Sequence, residues 1–335
     1  MSEPTRPLSG GSAPEDAERH LPRWIALLGA AAVGVLTATQ ARMNGALGLA
    51  MGDGMTAAFI SFSSGLAILV VLSAVLPVGR RGVRTLVTGV GARRIPWWML
   101  LGGVAGALTV ATQGLAVGVI GVAMFTVGMV AGQTVCGLVL DRTGYGPAGV
   151  VAVTLPRLVG GALALAAVGS ALIGDSAQGI PMWMLVLPFL AGAGIAWQQA
   201  TNGRLRQRVG TPLTATLVNF LGGTVVLALG AAVNLALTGG PRAVPAELWM
   251  YAGGAVGVTY IFLSAALVPH TGVLVLGLGA VAGQLVTAIV IDAFWPTQSS
   301  PPLVVQFTMV TIALSSVLVA SVRSPRRHWR VRKRR

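Results

Sequence analysis

Apolar residues fall in about ten stretches, each stopped by arginine, proline or glycine, at 23–43, 55–78, 96–117, 119–140 and 156–173, then at 181–200, 211–237, 247–268, 272–293 and 303–322. A helix of about 20 apolar residues crosses roughly 30 Å of hydrocarbon. The pattern therefore predicts an all-α polytopic membrane protein with ten transmembrane helices. Polar positions are sparse inside these stretches, and they recur. Gln40-Ala-Arg-Met-Asn44-Gly45 is answered by Gln198-Gln-Ala-Thr-Asn202-Gly203, and Phe62-Ser-Ser-Gly65 by Phe220-Leu-Gly-Gly223. The offset is a constant one of about 158, without a gap. Downstream, Trp98 to Asp141 aligns with Trp249 to Asp292 at an offset of about 151, with roughly a third of positions identical. The chain is a duplicated unit, with repeats expected at 23–174 and 181–322 and polar tails at 1–22 and 323–335.

Composition agrees. Only 10% of the 335 residues are charged, 54% are hydrophobic and mean hydropathy is +0.79, against about 25% charged in soluble domains. Forty-six glycines suit close approach of membrane helices. The net charge of +14 does not indicate nucleic acid, because the cations sit in tails and a few loops without the aromatic interleaving or fold that such binding uses. The run Arg326 to Arg335 reads as a cytoplasmic tail near anionic lipid heads, or as a solvated topology anchor. Residues 1–20 read as a disordered cytoplasmic tail. A single cysteine, Cys136, excludes an intrachain disulfide.

Charge also orients the chain. An even number of spans leaves both termini on one side, and the basic tail places that side in the cytoplasm. Arg80, Arg81, Arg84, Arg93 and Arg94 then fall in a cytoplasmic loop after span two, Arg142 and Arg157 after span four, and Arg204, Arg206 and Arg208 after span six. Arg42 and Arg242 fall outside. Five spans per unit is odd, so the two copies enter the bilayer from opposite faces, which is the inverted repeat of a transporter.

Gln40 and Asn44 share a helix face at the end of span one, as do Gln198 and Asn202 in span six. Amides donate and accept without a buried charge, so these suit either a polar solute path or a tie between helix ends and backbone, Asn-Gly being also a helix stop. Gln133 and Gln284 follow the small-residue strings Gly128 to Gly132 and Gly279 to Gly283, and either bridge helices or line the path. Gly102 and Gly106, mirrored by Gly253 and Gly257, read as packing positions. Ser61 and Asn219 are equivalent positions that must find a partner in lipid. Thr109, Thr112 and Gln113, with Thr259, Tyr260 and Ser264, form polar stripes and are further path candidates. Asp141 and Asp292 end spans four and nine, suited to anchoring a helix end or holding an arginine such as Arg142. His270 reads as a turn residue. No carboxylate falls in the middle of a span, so proton antiport through a central acid is unsupported. Neither a metal cluster, a nucleophile with its base, nor a Gly-x-x-x-x-Gly-Lys-Ser loop occurs, which disfavours an intramembrane enzyme and a primary pump. No cofactor is implied.

Through the paired Gln-x-x-x-Asn-Gly stretches, the Phe-x-x-Gly elements that follow them, and the Ala-Gly-Gln strings at Ala131 to Gln133 and Ala282 to Gln284, residues 23–322 resemble the drug/metabolite transporter superfamily, and within it the YdcZ-type family of inner-membrane exporters. The resemblance implies two inverted five-helix repeats and export of a small metabolite or drug-like solute by alternating access across a bacterial inner membrane. It names no solute. Small multidrug-resistance relatives use a glutamate in their first helix, and spans one and six here have none. The alternative is a membrane scaffold or regulatory subunit. A monomer is the default expectation, with a homodimer left open.

Overall fold

The computed structural model describes residues 23–146, 149–150, 152–171, 181–297 and 300–322. The expectations for both tails, for the end of span five and for the side chain of His270 lie outside the described residues.

Among these residues the helices are α1 (Arg23–Met51), α2 (Gly54–Val75), α3 (Pro77–Gly91), α4 (Trp97–Ile120), α5 (Val122–Thr143), α6 (Leu155–Ala171), α7 (Met182–Val209), α8 (Pro212–Thr238), α9 (Gly253–Phe294) and α10 (Leu303–Ser321). The fold is all-α, with ten membrane-spanning segments in two inverted five-helix repeats. All the helices but α3 span, and α9 contributes two segments. A straight helix of 42 residues would reach about 63 Å, twice the hydrocarbon thickness. Instead α9 has two arms that lie along α1 in opposite directions. The first starts with Gly253 against Asn44 and ends with Leu267 against Gly29; the second starts with Gly279 on Ala30 and returns past Gly34. The chain therefore reverses between Leu267 and Gly279.

Three features depart from the sequence reading. First, α1 and α7 do not stop at their Asn-Gly pairs. Each continues about two turns, to Met51 and Val209, because both asparagines find partners on other helices instead of capping their own. The stop comes at Gly52 (φ 64°) and Gly210 (φ 76°), left-handed positions that glycine occupies at little cost. Asp53 and Thr211 follow, each accepting an N–H of the next helix. Second, the arginine-rich connection after span two is not an open loop. Residues 77–91 form α3, helical because Pro77 supplies a preset first turn. It is amphipathic, with Gly79 and Gly82 buried against Ser73, Leu213 and Thr214 while Arg80, Arg81 and Arg84 face out.

Third, the two halves of the chain interlock. The largest helix packing joins α1 of the first repeat to α9 of the second, and its counterpart joins α7 of the second repeat to α4 and α5 of the first. Symmetry is kept contact by contact. A Cβ on Gly34 would overlap Ala280 O, and one on Gly192, its equivalent, would overlap Met129 O. Gly283 sits in the same way on Ala31 O, and Gly132 on Phe189 O. These small residues bring backbones together where a side chain would hold them apart. The largest apolar cluster, around Phe125, Leu285 and Met309, is drawn from both repeats.

Candidate functional site

α4 positions two amide clusters at its two ends. Gly102 faces Asn202, whereas Gln113 and Gly114 face Asn44 and Gly48. Gly102 and Gln113 are eleven residues apart, about 17 Å at the rise of a helix. Asn44 and Asn202 therefore lie at opposite ends of α4.

The first cluster is closed. Asn44 Nδ2 donates to Gln113 Oε1 (2.7 Å) and Gln40 Nε2 donates to the carbonyl of Gly253 (3.0 Å). Gln113 opens a π-turn, Gln113–Val117, a local widening of the helix common at functional positions. Asn44 is 0% exposed, Gln113 2% and Gln40 6%. Asn44 Oδ1 and Ser61 Oγ, both buried, have no hydrogen-bond partner. Both converge on Gly253, where a Cβ would overlap Asn44 Oδ1 and touch Ser61 Oγ at 3.0 Å.

The second cluster uses the equivalent glycines and amides but different hydrogen-bond partners. Gln198 Nε2 and Asn202 Nδ2 both donate to Asn219 Oδ1, at 2.7 and 3.1 Å. Gly102 gives room to Asn202 and Gly106 to Gln198, as Gly253 and Gly257 do for Asn44 and Gln40. These four glycines are thus more than packing positions, because each frees the volume an amide fills. Asn219 is the hub here. Its equivalence to Ser61 was the sequence signal, but periodicity alone does not reveal that two other amides aim at it.

The remaining candidates lie apart from these clusters. Gln133 donates to Gln199 at 3.3 Å, bridging α5 and α7. Gln284 is buried on α9, where Gly34 approaches its backbone N–H, and its Nε2 has no hydrogen-bond partner. Thr112 returns its hydroxyl to Thr109 O. Tyr260 packs against the apolar cluster of Ala30, Val33 and Leu267. These four are not gathered with the amides.

The ends of the bundle are fastened differently. Asp292 is buried and accepts the N–H groups of Val122 (2.9 Å) and Ala123 (2.8 Å), so a carboxylate of the second repeat caps α5 of the first, where the orphan N–H groups and the positive helix end favour it. The preceding Gly121 has φ 82°, and the neighbouring Thr297 hydroxyl donates to Val119 O at 2.9 Å. Asp141, the equivalent residue, is paired with Arg157 and not with adjacent Arg142. Near that end the Arg204 guanidinium lies 5.0 Å from the Tyr145 ring and 5.7 Å from the Trp98 ring, and it donates to Gly144 O. Among the described residues no group of three His, Cys, Asp or Glu side chains has the arrangement of a metal site.

A family model described as "Putative inner membrane exporter, YdcZ" matches residues 25–170 and again 183–318. No curated protein matches the chain. The model thus matches the chain twice, over most of its length.

Proposed function

The chain belongs to the YdcZ family of inner membrane exporters, and from that premise we propose that it is a secondary transporter which exports a small solute by alternating access. One observation carries the reading, the unequal burial of equivalent residues. Gln40, Asn44 and Gln284 are 6%, 0% and 6% exposed, whereas Gln198, Asn202 and Gln133 are only half-buried. The two repeats carry the same residue at each of these positions and pack them differently. A duplicated chain with two such packings available alternates between them, with the closed end opening as the open end closes.

In this reading the Asn44 end is shut by the Asn44–Gln113 and Gln40–Gly253 bonds and by Asp292 on α5, while the Asn202 end is ajar. The arginine-rich loops support a cytoplasmic position for the ajar end. The interlocked helices change what moves: α1 travels with α9 and α7 with α4 and α5, so the bodies that rock each draw on both repeats. Amides and hydroxyls at the two clusters suit an uncharged or weakly charged solute with hydrogen-bonding edges.

The test is flux. Protein in liposomes, screened against metabolites and drug-like compounds under imposed pH, sodium and voltage gradients, should move at least one solute. Replacing Gln198 and Asn202 by alanine should cut that flux by about tenfold or more while assembly persists. A scaffold would tolerate the same changes. Flux equal to that of empty liposomes for a broad panel under every gradient would overturn the proposal.

A further inference from the structure

Between α3, the turn that follows it and the end of α7 lies a cavity of about 390 Å³ that the transport reading does not use. Its wall is formed by Thr85, Thr88, Ala92, Arg94, Ile95 and Arg208. Two arginines, both exposed, therefore border one small, largely apolar cleft. Two cations bordering one cleft favour an anion there, less strongly where water screens them. Among the described residues no carboxylate lines it, the salt bridge being Arg157–Asp141 at another site.

The turn is built to hold these groups. Arg93 sits at φ 56°, a left-handed position that glycine would take more cheaply. Arg94 N and Ile95 N both return to Gly89 O, at 2.8 and 3.1 Å, closing the end of α3. That closure satisfies the last carbonyls of α3, which would otherwise repel an anion. Arg208 Nη1 donates to Arg94 O at 3.4 Å, tying the end of α7 to the turn. Its other N–H groups stay free of that bond. The hydroxyls of Thr85 and Thr88 donate to carbonyls within α3, which leaves the two arginines as the cationic donors among the lining residues.

We propose that this cavity binds a phosphate group, held by Arg94 and Arg208. The planar donor forks of arginine match phosphate oxygens two at a time. The volume exceeds that of a bare oxyanion and Ile95 lends an apolar wall, so the site accommodates the glycerol stem of an anionic phospholipid headgroup as well as a soluble phosphate. The two sources share one chemistry and differ in how they arrive.

Full-length protein in a neutral detergent would be titrated with phosphatidylglycerol, with phosphatidylcholine and with inorganic phosphate. Bound lipid would be read by native mass spectrometry and phosphate by calorimetry. Saturable binding of phosphatidylglycerol, or of inorganic phosphate at millimolar concentration, supports the site and identifies its source. Arg94→Gln with Arg208→Gln should weaken that binding by about tenfold or more, from the loss of charge-assisted bonds. Ala92→Leu, at an exposed position, fills the cavity without altering charge and should weaken it as well; it keeps the test valid if the double variant misfolds. Binding that is unchanged in Ala92→Leu or in the double variant, or no binding of inorganic phosphate together with equal retention of phosphatidylcholine and phosphatidylglycerol, would overturn the proposal.

Discussion

Phe62 and Phe220, the same position in the two repeats, stack on each other with ring centroids 4.8 Å apart and planes inclined by 28°. Each ring also lies over the Phe-x-x-Gly glycine of the other repeat: a Cβ on Gly65 would overlap Phe220 and one on Gly223 would overlap Phe62. A residue that meets its own counterpart marks the approximate twofold axis. α2 and α8 cross there, and the two amide clusters sit on either side.

Because the stacked rings are related by that axis, Phe62→Ala and Phe220→Ala should destabilise the protein by similar amounts, about 3 kcal/mol each. The double variant should lose less than the two losses combined, the ring pair itself being worth about 1 kcal/mol. Unfolding in detergent, followed by tryptophan fluorescence, measures both quantities. Strongly unequal single losses would show that the axis does not pass between these rings.

Gly253→Ala places a methyl group on Asn44 Oδ1, and Gly102→Ala places one on Asn202 Oδ1. Overpacking costs about 1–3 kcal/mol, and the cost should be greater at Gly253, because Asn44 is fully enclosed and has nowhere to turn. Melting temperatures of the two variants check the order. Adding Asn44→Ala to Gly253→Ala should restore part of the lost stability by removing the clashing oxygen.

Asp292→Ala strips two buried N–H groups of their acceptor, at about 1–3 kcal/mol for each group left unsatisfied. Asp141→Ala breaks a partly exposed ion pair with Arg157, where pairs contribute about 1 kcal/mol or less. Thermal denaturation should rank Asp292→Ala well below Asp141→Ala. Asp292→Asn, which keeps an acceptor oxygen, should fall between them.

Single cysteines at Asn44 and Asn202, introduced after Cys136→Ser, should react with an impermeant maleimide from opposite sides of the membrane. Asn202→Cys should label faster, since its site is half-buried while that of Asn44 is closed. A solute that drives the transporter to its other packing should reverse the order of rates.

Some of this was legible in the chain alone. Ten apolar stretches, the ungapped internal match and the arginine bias specify all-helical spans in an inverted duplication, because hydropathy and charge act residue by residue along one helix. The pairing of Gln40 with Asn44 and of Gln198 with Asn202 followed from helical spacing, which is equally local. What these amides bind did not follow. Asn44 meets Gln113, 69 residues away, and Gln40 meets Gly253, 213 residues away; no spacing rule covers such distances. The tertiary structure also carried both helices past their Asn-Gly pairs, since the amides gained partners on neighbouring helices and the stop moved to Gly52 and Gly210. It folded the arginine-rich connection into α3, because Gly79 and Gly82 fit against the start of α8. It interlocked the two repeats, because glycine lets α1 and α7 approach the opposite half more closely than their own. Above all, it decided which cluster is the more buried: Gln40 and Asn44 are enclosed while Gln198 and Asn202, the same residues in the other repeat, are half-buried, and only the three-dimensional contacts distinguish them.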